Sequence, residues 1–434
     1  MKINLNERID GFKPINGISC YNSSDPDEFF NHGFPSVRLH DQDGARPFVV
    51  DIAAVFPYWG ADEYAPESYD FRDTDRIIGD LVNHGVEVIY RLGNTIDHTP
   101  FPRLSRVPDD FGKWARVCEH IIMHYNEGWN NGFRYGIKYW EIWNEPDLIY
   151  LGLHTMWQGT EEEFFDLYRT AAPYLKNRFP DVKIGGYGAA RTKVAFFENF
   201  LKMASSEALP LDFFSWHRYT NEVEDMIAQA DRVRAMLDQY GFNNTESILD
   251  EWAYTENDWF GENRWNTMGK NPTVRESFYT KLRSQVGASY ALAVMISLLD
   301  HSVDKAHLYD GQKSFFGALY DQFGNYTKTA HTLFAFNGLI ARGNRVSVSD
   351  TPKDVYLIAS RNDSGADAMI SCFEVKSSET SVCISGCEGF TKACVYLTDD
   401  FFSNHKIMDL CIDSDTLRIP VSIRPYSVIH ISLS

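Results

Sequence analysis

Between about residues 15 and 340, eight short apolar segments alternate with longer amphipathic stretches. Residues 75–83, 114–125, 161–178 and 223–240 space their apolar side chains three and four apart, as helices do. Eight strand–helix units over this length predict a closed (β/α)8 barrel, or TIM barrel, whose usual size is ~250 residues before insertions. The segments predicted as strands are 17–21, 36–39, 86–92, 138–143, 183–187, 213–216, 247–250 and 306–309.

The pattern changes near residue 345. From there to residue 434 the chain contains short alternating segments separated by turn residues, among them 355–360, 368–373, 392–397 and 427–433. These segments predict an all-β sandwich that packs against the barrel. The predicted fold class is therefore α/β, with a barrel over residues 15–340 and a C-terminal β-sandwich over 345–434. Residues 1–14 are a candidate for one further strand of the sandwich.

Composition limits the partners of the chain. Its 434 residues are 44% hydrophobic, which suits a packed core, and its net charge is −19. Such an acidic balance disfavours nucleic acid and anionic membrane surfaces as partners. The N-terminus shows no apolar segment of signal-peptide length, and no segment approaches the length of a membrane span. A cytoplasmic protein without a membrane partner is expected.

The seven cysteines are an odd number without the pairing of a metal site. Cys383 and Cys387 have a spacing that some zinc sites use, but no second pair and no histidine cluster accompanies them. Free thiols in a reducing compartment are therefore expected, and no metal site is predicted.

The most informative motif is Tyr-Trp-Glu-Ile-Trp-Asn-Glu-Pro-Asp at residues 139–147. A strand-like run stops there at Asn144, Glu145 and Pro146. Because proline cannot donate to a sheet ladder, Glu145 is predicted at the carboxyl end of the fourth strand. Active sites of such barrels are built at that end. A carboxylate beside tryptophans indicates sugar chemistry, provided that a second carboxylate faces it.

Glu251 is the predicted second carboxylate. It ends the seventh strand-like run, and the fourth and seventh strands of an eight-stranded ring lie across the mouth from one another. Two carboxyl groups ~5–5.5 Å apart cleave glycosides with retention of configuration, whereas a separation of ~6.5–9.5 Å admits a water molecule and gives inversion.

Glu145 after Asn144 on strand four, with Glu251 on strand seven, resembles the large superfamily of retaining glycosidases that carry the acid/base and the nucleophile on these strands. Within it, residues 140–147 and the Ser-Trp-His-Arg-Tyr of residues 215–219 are most similar to glycoside hydrolase family 39. That family includes β-xylosidases and α-L-iduronidases and pairs a barrel with a β-sandwich. The resemblance implies that Glu145 is the general acid/base and Glu251 the nucleophile.

Five further polar side chains are candidates for substrate contacts. Asn144 is placed to hold the hydroxyl next to the anomeric carbon, where contacts tighten in the transition state. Tyr219, at the end of strand six, would donate to the nucleophile, as the tyrosine of the family motif does. His217 lies on the same side of that strand and would bind a sugar hydroxyl or tune the catalytic pair. Arg38 and His40 resemble the family's Arg-x-His segment, which implies a place near the nucleophile and in the sugar pocket.

Aromatic side chains near the strand ends are candidates for stacking against the sugar. Trp252 follows the predicted nucleophile, and Trp259 and Phe260 lie in the segment after it. Tyr309 ends the eighth strand, where many members of the family place a tryptophan.

Structural roles are the alternative for several of these residues. Glu145 and Glu251, each taken alone, are compatible with solvated acids at strand ends, although their pairing disfavours this. Glu141 is expected to be ion-paired in the barrel interior. Arg38, His217 and Tyr219 are also compatible with core packing or charge neutralisation.

The sequence therefore predicts a retaining, β-xylosidase-like glycoside hydrolase that acts on a glycoside or an oligosaccharide and needs neither a metal ion nor an organic cofactor. An endo-acting β-glycanase or a transglycosylase would use the same residues. A non-catalytic carbohydrate-binding barrel is the alternative of another class, but such a protein would usually have lost one carboxylate. The resemblance is also compatible with assembly of the protein into a homo-oligomer.

Overall fold

The structure, a computed structural model, describes residues 1–9, 11–42, 48–96, 102–256, 271–313 and 317–434. The chain begins with strand β1 (Lys2–Arg8), which lies outside the barrel. Eight parallel strands then close the barrel in chain order, because the last one pairs with the first. They are β2 (Gly17–Ser19), β3 (Ser36–Leu39), β4 (Glu87–Leu92), β5 (Tyr139–Ile142), β6 (Lys183–Ala189), β7 (Phe213–Thr220), β8 (Glu246–Tyr254) and β9 (Lys305–Tyr309).

The closed barrel confirms the predicted fold class, and every segment predicted as a strand overlaps one barrel strand. The predicted positions of the two motif strands are also confirmed: β5 is the fourth barrel strand and β8 is the seventh. The two motifs that carry Glu145 and Glu251 therefore belong to strands on opposite sides of the barrel mouth.

Helices surround the barrel, and several of them begin with a side-chain cap. Thr160 and Glu163 form a reciprocal capping box at the start of α5, and Asp110 caps α4. Among the described residues, no helix is both long enough and apolar enough to cross a membrane. The helices are α1 (Pro26–Phe30), α2 (Ile52–Val55), α3 (Arg72–Asn83), α4 (Phe111–Asn126), α5 (Glu161–Arg178), α6 (Ala195–Ser206), α7 (Val223–Gln239), α8 (Pro272–Arg283), α9 (Gln285–Leu298) and α10 (Lys328–Ala341), with 3-10 turns at Pro66–Ser68, Trp129–Asn131 and Pro146–Leu151.

The remaining strands form a second, nine-stranded sheet in the order β15-β14-β17-β12-β11-β10-β1-β13-β16. Strand β1 joins it by pairing with β10 and β13. Side chains from both ends of this order, such as Ile3, Ile384 and Ile431, share one buried cluster, so the sheet folds over its own core as a sandwich. The strands are β10 (Asn344–Ser349), β11 (Tyr356–Asn362), β12 (Gly365–Cys372), β13 (Ser378–Ser385), β14 (Lys392–Thr398), β15 (His405–Cys411), β16 (Thr416–Ile423) and β17 (Ser427–Leu433).

Helix α9 lies between the barrel and the sandwich, and almost all of its side chains are buried. The ring of Tyr290 lies 5.4 Å from that of Phe373, and the Ser371 hydroxyl donates to the carbonyl of Ser289 at 2.6 Å. A helix that is apolar all round is buried all round, and here it joins the two domains through a shared core.

Candidate active site

The backbone after β5 turns sharply and places Glu145 at the barrel mouth. Trp143 and Glu145 both have left-handed φ angles, 70° and 48°, which are uncommon for bulky side chains. Backbone hydrogen bonds stabilise the turn, from Trp143 to the carbonyl of Leu92 and from Glu145 to that of Gly188. Pro146 then begins a 3-10 turn, a position where its missing N–H group is tolerated.

A β-bulge places Glu251 on the opposite side of the mouth. Trp216 of β7 pairs with Leu249 of β8, and the next residue, His217, pairs with Glu251, so Asp250 is an extra residue in β8. Successive side chains of a regular strand face opposite sides. The bulge relaxes this rule and lets Asp250 and Glu251 both approach Arg38.

The two carboxyl groups are close to each other. One oxygen of Glu145, one oxygen of Glu251 and a ring nitrogen of His217 all lie within 4.8 Å of one another. Nδ1 of His217 lies between the acids, 2.8 Å from Oε1 of Glu145 and 3.4 Å from Oε2 of Glu251. The structure thus brings together the two predicted catalytic acids and the histidine predicted to contact them.

Arg38 is fully buried beneath the pair and bonds to several of its neighbours. Its Nη1 donates to Oε1 of Glu251 at 2.6 Å, and its Nε donates to Oε2 of Glu141 at 2.8 Å. Its Nη2 donates to Oδ1 of Asn144 at 2.6 Å. The hydroxyl of Tyr219 donates to the other oxygen of Glu251 at 2.7 Å. Glu251 is therefore held by one cation and one hydroxyl, which donate to its two different carboxyl oxygens.

The environments of the acids differ, and their pKa values differ with them. Burial raises the pKa of Glu145 to about 7, against an opposing effect of Arg38. Burial alone would also raise the pKa of Glu141, but Arg38 and its hydrogen bonds hold it below its usual value. Burial raises the pKa of Asp250 well above its usual range. Burial lowers the pKa of His217 to about 4, so this imidazole is neutral near pH 7.

A second group of buried polar side chains lies beside Asn144. Its amide nitrogen lies 3.3 Å from Nε2 of His40, and Nε of Arg91 donates to Nδ1 of the same ring at 3.2 Å. Arg91 is in turn ion-paired with the buried Asp51. Burial, with the nearby arginines, keeps the pKa of His40 well below its usual value. Because Nδ1 of His40 accepts from Arg91, the hydrogen of this neutral ring is on Nε2, so the ring packs beside Asn144 and does not accept from its amide.

Tyr309 lies on the other side of the mouth. Its hydroxyl donates to Oδ2 of Asp41 at 3.3 Å, and its ring lies 6.4 Å from that of Tyr219. Burial raises the pKa of Asp41 to about 7, and the charge of Glu251 adds to the effect. Tyr309 therefore adjoins the residue that holds Glu251, which is compatible with its predicted substrate contact.

Trp252 does not join the site, and its predicted contact with substrate is corrected here. It follows Glu251 in the strand and faces the opposite side, fully buried, with its ring 6.4 Å from that of Tyr290 on α9. It is a core residue between the barrel and the sandwich. The other aromatic candidates after it, Trp259 and Phe260, lie outside the described residues.

Among the described residues, Glu145, Glu251 and His217 are the one group whose donor atoms lie close enough together to hold a metal ion. Nδ1 of His217 already lies 2.8 Å from Oε1 of Glu145, and the guanidinium of Arg38 lies 2.6 Å from Glu251. A divalent cation here would be repelled by that guanidinium. The donor set therefore fits a hydrogen-bonded acid pair better than a metal centre.

Sequence reasoning missed three buried residues that shape the site: Asp250, Arg91 and Gly188. Arg91 had a signal in the sequence, a charge inside an otherwise apolar strand. Gly188 has a φ of 62°, and a Cβ atom there would lie 2.8 Å from Oδ1 of Asn144. The close approach of these two segments requires glycine.

Fold and site together define a class of protein: a (β/α)8 barrel with a sandwich domain and facing carboxyl groups on the fourth and seventh strands. Residues 62–272 match the model of the family described as Glycosyl hydrolases family 39. The resemblance to glycoside hydrolase family 39 that the motifs predicted is thereby confirmed.

The chain is also similar to individual glycosidases in sequence and in fold. A β-xylosidase from Geobacillus stearothermophilus is 26% identical over 216 residues, which cover 42% of this chain and 41% of the relative. The chain thus matches about two fifths of that relative's length. Two solved structures share the fold: a glucosidase from Croceicoccus marinus (TM-score 0.82, 20% identity, 100% and 98% of the two chains) and a family 39 β-xylosidase from Caulobacter crescentus (TM-score 0.71, 15% identity, 100% and 99%).

Proposed function

We propose that the protein is a glycosidase that cleaves β-xylosides or closely similar glycosides by double displacement with retention. The observation that carries the proposal is the facing of Glu145 and Glu251 within 4.8 Å, one with a raised pKa and one held by Arg38 and Tyr219. The approach of one oxygen of each carboxyl group to within 4.8 Å favours the ~5–5.5 Å spacing of retaining enzymes over the ~6.5–9.5 Å spacing of inverting ones.

In the first step, a carboxylate oxygen of Glu251 attacks the anomeric carbon. The bond from that carbon to the leaving oxygen breaks, and its electron pair stays on the oxygen. Glu145 transfers its proton to that oxygen, so the departing group leaves as a neutral alcohol. A carboxyl group with a pKa of about 7 is largely protonated below neutrality and still acidic enough to donate.

In the second step, Glu145 is a carboxylate and acts as the general base. It removes a proton from a water molecule, whose oxygen attacks the anomeric carbon, and the ester bond to Glu251 breaks. Glu145 regains its proton and Glu251 its charge. Departure of the first product uncovers Glu145, the more exposed of the two carboxyl groups, for this water.

Asn144 is the proposed ligand of the hydroxyl next to the anomeric carbon. Its carbonyl oxygen accepts from Arg38, so its amide nitrogen is turned away from Arg38, towards His40 and the mouth. A donor fixed in this way needs little reorganisation when the sugar flattens in the transition state. Contacts to this hydroxyl strengthen at that point of the reaction.

The choice of a β-xyloside as first substrate rests on the β-xylosidase that matches the barrel region. The test is hydrolysis of a panel of aryl β-glycosides, including the xyloside and the glucoside, with NMR of the first-formed sugar anomer. We expect the β-xyloside to react fastest and to give the β-anomer first. An α-anomer formed first would disprove retention, and a lack of reaction with every glycoside would favour a non-catalytic binding barrel.

A further inference from the structure

Three buried polar atoms behind the catalytic pair lack hydrogen bonds of good geometry to the described residues, although one of them, Oδ2 of Asp250, lies 3.0 Å from Nε of Arg38. They are both carboxyl oxygens of Asp250 and Nε2 of His217. Oδ1 of Asp250 lies 3.5 Å from that nitrogen, and neither residue exposes its side chain to solvent beyond about 1%. An unsatisfied buried polar atom costs ~1–3 kcal/mol, so a group of three points to a hydrogen that they share.

The charges around these three atoms also indicate that a hydrogen is shared among them. Four acids, Glu141, Glu145, Asp250 and Glu251, lie around the single guanidinium of Arg38 and the rings of His217 and His40. One cation cannot balance four buried carboxylates. Protons on Asp250 and Glu145 leave the carboxylates of Glu141 and Glu251, which both accept from Arg38.

We infer that Asp250 is a positioning residue for the acid/base and acts through His217. This inference rests on the proposed glycosidase function. In its neutral form Asp250 donates its O–H to Nε2 of His217, so the imidazole carries its own hydrogen on Nδ1. Nδ1–H then donates to Oε1 of Glu145 at 2.8 Å. The acidic proton of Glu145 is thereby confined to Oε2, which the described residues leave free for the glycosidic oxygen.

The same arrangement serves the second step. Once Glu145 has given up its proton, the Nδ1–H of His217 donates to a carboxylate and stabilises the base form. His217 therefore bonds to Glu145 in both of its states without changing its own protonation. The pKa of His217, lowered by burial to about 4, keeps the ring neutral throughout.

The first test compares Asp250→Ala and Asp250→Asn with aryl glycosides whose leaving groups range from phenol to dinitrophenol. Protonation matters for poor leaving groups and hardly at all for activated ones. General acid catalysis is worth ~10²–10⁴-fold, so its misplacement in D250A should lower kcat/KM for the phenyl glycoside by ~10–100-fold. We expect the dinitrophenyl glycoside to lose less than ~3-fold. D250N keeps an N–H donor and should stay near the wild type.

The matched control is Asp367→Ala in the sandwich, where a buried aspartate also faces a histidine. Asp367 accepts from Nε of Arg342 at 2.7 Å and lies 3.0 Å from Nε2 of His430, far from the mouth in the other domain. D367A should affect stability without any dependence on the leaving group. Equal losses of D250A on all leaving groups would overturn the inference.

The second test is ¹⁵N NMR of the imidazole nitrogens, with His217→Gln to assign the signals. Wild type and D250N should show hydrogen on Nδ1 of His217, and D250A should show a mixture of tautomers. Hydrogen on Nε2 in the wild type would overturn the inference even if the enzyme is active. Failure of the wild type to cleave any glycoside would instead reject the proposed function itself.

Discussion

Nη1 of Arg38 donates to Oε1 of Glu251 at 2.6 Å, while Nε of the same guanidinium donates to Glu141 at 2.8 Å. One planar group therefore holds the proposed nucleophile and a structural carboxylate in a fixed relation. The fork geometry of arginine allows this, whereas a lysine ammonium is a point charge on a flexible stem.

Replacement of Arg38 should cost both stability and activity. Arg38→Met leaves two buried carboxylates without their cation, and loss of one partner of a buried pair costs ~3–5 kcal/mol. Arg38→Lys should recover part of the stability and little of the activity, because one ammonium cannot reproduce the three hydrogen bonds. Urea unfolding measures the first effect and kcat/KM the second. The control is Arg72→Met, which removes an exposed ion pair with Asp70 and should hardly change the urea unfolding midpoint.

Glu251→Ala should abolish turnover of an activated aryl β-glycoside, by at least ~10³-fold, because no residue replaces the nucleophile. Azide is small enough to enter the space that the side chain leaves and attacks the anomeric carbon from the same face. We expect azide to restore activity and to give an α-glycosyl azide, identified by NMR. Rescue in the Glu145→Ala variant should give the β-glycosyl azide instead. The opposite pairing of products would reverse the two assigned roles.

Much of this arrangement was predictable from the sequence, because strand ends have a local signature. The Asn144-Glu145-Pro146 stop and the run into Glu251 each mark where a strand meets the mouth, and counting strands placed them opposite each other. Tyr219 is predicted near Glu251 for the same reason, and the structure places its hydroxyl 2.7 Å away.

The parts that were not predictable depend on a change of register or on distant pairing. Side chains of a regular strand alternate between its two faces, and the extra residue Asp250 in β8 interrupts this alternation. The sequence therefore does not predict that the Asp250 side chain faces Arg38. The prediction that Trp252 contacts substrate is wrong because it rests on the position of Trp252 next to Glu251. The direction in which the side chain leaves the strand, which the sequence does not show, turns it away from the mouth. The ion pair of Arg91 with Asp51 joins two segments that have no local signal for each other.

Gly188→Ala should impair catalysis more than it impairs folding. The φ of 62° disfavours alanine, and the added Cβ would lie 2.8 Å from Oδ1 of Asn144 and 3.1 Å from Nη2 of Arg38. Asn144 would have to move, so we expect a fall in kcat/KM of ~10-fold or more from misplacement of a transition-state contact. Gly85→Ala is the control, since it has a similar φ of 69° and open space around its Cβ position. It should cost stability alone, which thermal unfolding would show.

The rate should fall as the pH rises through the pKa of Glu145. Because burial raises that pKa to about 7, kcat/KM for a phenyl glycoside should decline above pH ~7, tenfold for each further unit. In Glu145→Ala, assayed with a dinitrophenyl glycoside, that decline should vanish. A decline that persists unchanged in this variant would assign the titration to another group.

Glu145→Gln should make the protein more stable at high pH while it destroys the acid/base function. The folded-state pKa is raised, so the stabilising contribution of the protonated carboxyl is complete below the unfolded value near 4.5 and is lost as the pH rises through about 7. The shift corresponds to at most ~3 kcal/mol above pH 7, since one unit is ~1.4 kcal/mol. We therefore expect a higher Tm for E145Q than for the wild type at pH 8 and equal values at pH 5. Glu67→Gln removes one carboxyl group from the exposed surface and serves as the control. An E145Q variant that is less stable than the wild type at pH 8 would contradict a destabilising buried carboxylate at the barrel mouth.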